Sequence, residues 1–174
     1  MSRGVPPLPD VAAILEVLVR HEVDFVVIGG VAVAYHGFVR ATRDVGVIPS
    51  PAPDNLKRLW GALEELDARP ASLRDFAPGE LPVAFTLEAL VDLGSWELET
   101  TYGRLEILQH IVGKVDEPQD YAPLRAAAEG GRYDFGTVWF AAYEDLIDLK
   151  NIAGRDQDLI DIRALREARG DTGP

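Results

Sequence analysis

Asp24-Phe25-Val26-Val27-Ile28-Gly29-Gly30, followed by Arg40-Ala41-Thr42-Arg43-Asp44-Val45-Gly46-Val47, is the stretch that decides the fold. Asp24 to Ile28 is a near-continuous apolar run rich in Val and Ile, as expected of a strand buried on both faces. The diglycine permits a sharp turn, and Val31 to His36 suits a short helix. Asp44 to Ile48 reads as a second strand. It stops at Pro49-Ser50-Pro51-Ala52-Pro53, which cannot continue a sheet ladder. Strand, glycine turn, helix and strand together indicate an α/β protein.

The flanking sequence supports that reading. Asp10 is placed to cap a helix from Val11 to Arg20 whose apolar positions Ile14, Leu15 and Leu18 recur at helical spacing. Asp54 is placed to cap another through Leu66, with Leu56, Leu59, Trp60 and Leu63 on one face. Arg69 to Pro82 is loop-like. Ser95 to Thr100 and Arg104 to Gln109 alternate polar and apolar side chains around Thr101-Tyr102-Gly103, which predicts a β-hairpin. Pro118 to Ala128 reads as a helix and Asp134 to Ala142 as a strand. Tyr143 to Ala153 and Asp156 to Ala168 read as two closing helices. The expected organisation is a flexible N-terminus over 1–9, a single domain over 10–169 and a frayed end over 170–174.

Composition narrows the function. With 174 residues, 47% of them hydrophobic and 26% charged, there is enough apolar material for one core. Cysteine is absent, which removes disulfides, thiol nucleophiles and zinc-thiolate sites. No apolar run reaches the roughly 20 residues of a membrane span, and Met1 to Pro9 does not read as a secretory signal, so the expected location is cytoplasmic. The net charge is −12, which argues against a broad nucleic-acid surface. Only Lys57, Lys114 and Lys150 are lysine, the remaining basic residues being arginine, the better bidentate phosphate ligand. A GC-rich genome explains that bias equally well.

Glycines at a strand-to-helix turn let the backbone approach a ligand, and the helix start aims free N–H groups at the same spot. Taken alone, Gly29-Gly30 fits a plain tight turn better than a phosphate cradle. Arg40, Thr42 and Arg43 lie just before the carboxylate strand, where a cation or hydroxyl meets a phosphate, or else form a solvated loop. His21, His36 and His110 show no metal spacing. Trp60, Trp96 and Trp139 fall at packing positions.

Three ordered segments carry a family likeness: Gly29-Gly30 with Arg-x-Thr-x-Asp ending at Asp44; Gly103-Arg104-Leu105-Glu106; and Lys150 followed by Arg155, Asp158 and Asp161. Together they resemble the nucleotidyltransferase superfamily, specifically the bacterial group related to the AbiEii toxin. The resemblance implies a nucleotidyltransferase-like α/β fold, a small mixed twisted sheet flanked by helices. It also implies catalytic, Mg²⁺-holding carboxylates at Asp44 and Glu106. Gly29, Gly30, Arg40, Thr42, Arg43 and Lys150 would bind nucleotide triphosphate, and Arg155, Asp158 and Asp161 would support them.

One position departs from the family. Its Asp-hydrophobic-Asp places two carboxylates on one strand face, and here the second is Gly46. Two-metal chemistry needs several oxygen ligands, so one weakly held Mg²⁺, or none, is expected. Glu99 is a conceivable substitute. The glycine is compatible with a natural pseudo-enzyme, an unusual active variant or an engineered inactivation, and the first is slightly favoured. The reading is a nucleotide-binding domain with weak or lost metal-dependent transfer. Its alternatives are an active toxin-type enzyme moving a nucleoside monophosphate to RNA or protein, with a cognate antitoxin as partner, and a non-catalytic protein-interaction module.

Overall fold

The computed structural model describes residues 8–71, 84–93, 95–109 and 121–170. In chain order the elements are α1 (Val11–Arg20), β1 (Phe25–Ile28), α2 (Gly29–Tyr35), β2 (Asp44–Pro49), α3 (Pro53–Glu65), β3 (Arg69–Pro70) and α4 (Leu87–Leu93). They continue with β4 (Ser95–Thr100), β5 (Gly103–Leu108), α5 (Tyr121–Ala127), β6 (Glu129–Tyr133), β7 (Gly136–Phe140), α6 (Tyr143–Ala153) and α7 (Asp156–Arg169).

Among the described residues the strands form one mixed sheet in the order β3-β4-β5-β2-β1-β7-β6. The β1–β7 and β2–β5 pairs are parallel and the rest antiparallel. All four residues of β1 are buried, as its unbroken apolar run demands. The α2 helix packs on β1, β2 and α6, while α1 packs on α3 and β7. Ile14, Leu18, Val26, Val27, Val45, Val47, Leu59 and Ile107 are fully buried at their centre. No described helix is long and apolar enough to cross a membrane.

Local chemistry explains where elements begin. Asp10 caps α1 by accepting the Ala13 N–H at 3.1 Å. The diglycine is not a separate turn but the first residues of α2, entered from Ile28 in extended conformation. The α3 helix is capped at Ala52, not Asp54; Pro53 takes the first position, where its missing N–H costs nothing, and Asp54 lies in the first turn. The predicted strand over Asp134 to Ala142 is seen as β7, and it forms a hairpin with β6, which the sequence reading did not include. Gly130 and Gly131 conceal β6 from propensity, yet a Cβ at Gly131 would lie 2.9 Å from Phe140 Cε2, so the glycine admits that ring. The loop-like middle contributes β3 and, beyond it, α4; residues 72–83 lie outside the described set. The predicted helix starting at Pro118 is seen as α5, with 110–120 also outside. So are 1–7 and 171–174, where flexible ends are expected.

Candidate functional site

Register aligns the site across three strands. Ile28 of β1 stands opposite Gly46 of β2, and Gly46 opposite Glu106 of β5. Asp44, two residues from Gly46, shares its face and stands opposite Arg104. On the outer side of β5, Glu97 of β4 pairs with Glu106, and Glu99 pairs with Arg104. The Arg104 Nη2 lies 3.3 Å from Glu99 Oε1, so Glu99 is engaged there. Glu97 is therefore the β4 carboxylate beside the site.

Burial comes first among the influences holding the Glu106 carboxyl above the ordinary carboxylate range; the negative charges of Asp44 and Glu97 add to it. Gly46, two residues from Asp44 on the same strand face, carries no side chain toward Glu106. A Cβ built there would lie 3.2 Å from Ile28 Cγ1, tight enough that Ile28 would have to give by a few tenths of an ångström. Among the described residues no three His, Asp or Glu side chains form a group that could hold a metal ion.

The two glycines of the diglycine have different reasons. Gly29 has φ +67 with open space where a Cβ would go, so its backbone conformation requires glycine. Gly30 is buried, and a Cβ there would fall 2.6 Å from Thr42 Oγ1 and 3.3 Å from Arg40 Nη2. Thr42 donates its hydroxyl to the Asp44 carbonyl at 3.0 Å. Gly30, Arg40 and Thr42 thus form one packed contact that seats the Asp44 strand against α2.

The closing helices hold a buried ionic network. Gly154, in left-handed conformation at φ +61, ends α6, and Arg155 leads directly into α7. This tight corner brings Lys150 to Asp158 Oδ1 at 3.0 Å and Asp161 Oδ2 at 2.6 Å. Arg40 grips Asp161 with two hydrogen bonds of 2.6 Å, from Nε to Oδ1 and from Nη2 to Oδ2, and Gln157 adds a third donor at 3.0 Å. Arg155 donates from Nε to Asp158 Oδ2 at 2.8 Å. Burial pushes the Asp161 carboxyl up, but hydrogen bonds from Arg40, Lys150 and Gln157 reverse that and bring it down to about 2. Asp158 is lowered for the same kind of reason, Arg155 and Lys150 outweighing burial.

A cleft of about 250 Å³ lies between these parts. Ile28, Gly29, Glu106 and Leu108 form one side; Leu146, Leu149, Lys150, Arg155 and Asp158 form the other. Of the residues singled out by the sequence, Gly29, Glu106, Lys150, Arg155 and Asp158 line it. Asp44 lies in the strand row beside it. Arg40, Thr42, Gly30 and Asp161 support it from behind, and Arg43 is exposed on the loop before β2. His36 donates from Nε2 to the Ala141 carbonyl at 2.8 Å, a packing role. Trp60 and Trp96 pack against Phe85, and Trp139 lies beneath Arg125.

No family model matches the sequence, and no curated protein matches it. Solved structures do match the architecture. A lincosamide antibiotic adenylyltransferase with lincomycin bound is 16% identical at TM-score 0.61, over 94% of this chain and 99% of the other. The enzyme ANT(2'')-Ia in complex with adenylyl-2''-tobramycin is 15% identical at TM-score 0.55, over 90% and 85%. The chain has the nucleotidyltransferase fold. An antigenic nucleotidyltransferase-like protein from Paracoccidioides brasiliensis agrees, at 17% identity and TM-score 0.55 over 92% of this chain and 78% of that one.

Proposed function

We propose that this chain binds a nucleoside triphosphate in the cleft and that its metal-dependent nucleotidyl transfer is weak or lost. The observation that supports this most directly is that Glu106 shares a cleft with Lys150 and Arg155 while Asp44 lies on the adjacent parallel strand, two residues from the Gly46 that stands opposite Glu106. A space of about 250 Å³ is below the usual range for enclosed ligands, so the phosphates would enter it and much of the nucleoside would remain outside. Leu108, Leu146 and Leu149 offer an apolar wall near the entrance.

Asp44 and Glu106 suit one Mg²⁺ completed by water and phosphate oxygens, and do not suit a two-metal cluster. When bound, the ion would neutralise phosphate charge and favour in-line displacement. Burial comes first in raising Glu106, and the added repulsion from Asp44 and Glu97 is the part a bound cation would relieve.

Residual transfer, of the kind a toxin-type AbiEii relative performs, is the second reading, and Glu97 favours it. Its charge acts on Glu106 from β4, although it is exposed and Gly46 remains bare. The acceptor would be RNA or protein, or a small hydroxyl compound of the sort the matched structures hold. A net charge of −12 disfavours RNA. The test is label transfer from the four ribonucleoside triphosphates with Mg²⁺ or Mn²⁺, native chain beside Gly46→Asp, together with calorimetric binding. Binding without transfer by the native chain, and transfer on Gly46→Asp, is the expected result. Native binding of none of the four would overturn it.

A further inference from the structure

We infer that Arg155, not Lys150, is the side chain that contacts the triphosphate, with Asp158 as the positioning residue that aims its guanidinium into the cleft. This rests on the proposed nucleotide-binding reading and divides the labour within the same site. Five cations lie near the cleft, in the Asp44 row or on the loop leading to β2, and their present engagements separate them. Arg104 is paired with Glu99 and is not part of the cleft wall. Arg40 has both edges committed, to Asp161 and to the Ala41 carbonyl. Lys150 has a side chain only 5% exposed and clamped between two carboxylates. Arg43 is exposed but belongs to the loop before β2 and is not part of the cleft wall.

Arg155 combines anchorage with access. Its side chain is 72% exposed, and Nε is held by Asp158 at 2.8 Å. The Asp158 Oδ2 also accepts the Arg155 backbone N–H at 3.2 Å, so main chain and side chain are fixed by one carboxylate. Nη2 makes only a long 3.5 Å contact with Asp158 Oδ1, and the side chain lines the cleft on the side opposite Glu106. Glu106 and Asp44 both strengthen its positive charge, which places the guanidinium within electrostatic reach of the carboxylate row. A planar fork with an edge still accessible is suited to two phosphate oxygens, whereas moving the Lys150 ammonium would strip two buried carboxylates of their counter-ion.

The experiment measures affinity for inorganic tripolyphosphate and for ATP, GTP, CTP and UTP on the native chain, Arg155→Gln, Arg155→Lys and Lys150→Met. Melting without ligand is followed in parallel. Arg155→Gln is expected to weaken tripolyphosphate and the bound nucleotide about tenfold or more, to flatten the salt dependence and to lower unliganded melting less than Lys150→Met does. Arg155→Lys should restore part of the affinity. Lys150→Met should lower the melting temperature and, while folded, lose less affinity than Arg155→Gln. If Lys150→Met does not fold, the two Arg155 variants decide. Affinity of Arg155→Gln within about twofold of native, or a larger loss in folded Lys150→Met, overturns the assignment. A native chain that binds none of the five ligands overturns the nucleotide reading itself, and the assignment with it.

Discussion

Replacing Asp161 with Asn tests whether the buried network is the clamp that closes the cleft. The carboxylate is fully buried and receives four hydrogen bonds: Arg40 Nε and Gln157 at Oδ1, Arg40 Nη2 and Lys150 at Oδ2. An amide keeps one acceptor and turns the other into a donor, so either orientation sets two donors against its NH₂ group. Hydrogen bonds to charged groups contribute about 1.5–3 kcal/mol each, and the retained pair offsets part of the loss. The predicted destabilisation at pH 7 is about 3–5 kcal/mol, or a melting temperature lower by roughly 10 °C in a chain of this size. The effect carries a pH signature. The folded carboxyl lies at about 2, below the unfolded value of about 3.9. Its contribution is therefore complete above about pH 5 and is lost as pH falls towards 2, amounting to about 2 kcal/mol. Asn has no such dependence, so the gap between the two proteins should narrow by roughly half that amount at pH 3. Urea unfolding of both at pH 7, 4.5 and 3 measures it. A gap under about 1 kcal/mol at pH 7, or one that stays constant with pH, would refute the reasoning.

Glu106→Gln in metal-free buffer should stabilise the fold at neutral pH. The folded Glu106 carboxyl is raised by burial and by Asp44 and Glu97, so the native state binds the proton more tightly and stability falls as pH rises through that value. Melts at pH 7.5 and 5 should show the advantage of Gln shrinking in acid; a variant no more stable at pH 7.5 contradicts this. Gly29→Ala should cost about 1 kcal/mol through its positive φ alone, whereas Gly30→Ala should cost about 2–3 kcal/mol through the clash with Thr42. Equal losses by calorimetry would mean the two glycines share one role.

How much could be read in advance follows from which forces were local. The β1 run, the Asp10 cap, the hairpin and the two closing helices announce themselves by periodicity and punctuation, and the structure places them close to the expected positions. Even Glu97 was within reach: once Thr100 pairs with Gly103, counting along the strands sets Glu97 opposite Glu106 and Glu99 opposite Arg104. The strand β6 was not, because Gly130 and Gly131 are tolerated only where the side chains of β7 fill the space they leave. Lys150 shows the same limit. Its likeness to a phosphate ligand is a matter of sequence order, whereas its burial between Asp158 and Asp161 arises from the corner at Gly154, which fixes the angle between two helices.

Gly46 is where packing and chemistry meet, and this shapes what its replacement can reveal. Ile28 leans over the glycine, so Gly46→Asp must displace that side chain slightly and also place another negative charge beside Asp44 and Glu106. Both effects oppose folding in the absence of a cation. A divalent ion that binds the restored group would reverse the second effect and leave the first. Gly46→Asp should therefore melt below the native chain without metal and gain more from millimolar Mg²⁺ or Mn²⁺ than the native chain does. If the two proteins gain equally, the restored carboxylate does not reach the ion, and weak or lost transfer, as proposed for the native chain, would need a cause other than Gly46.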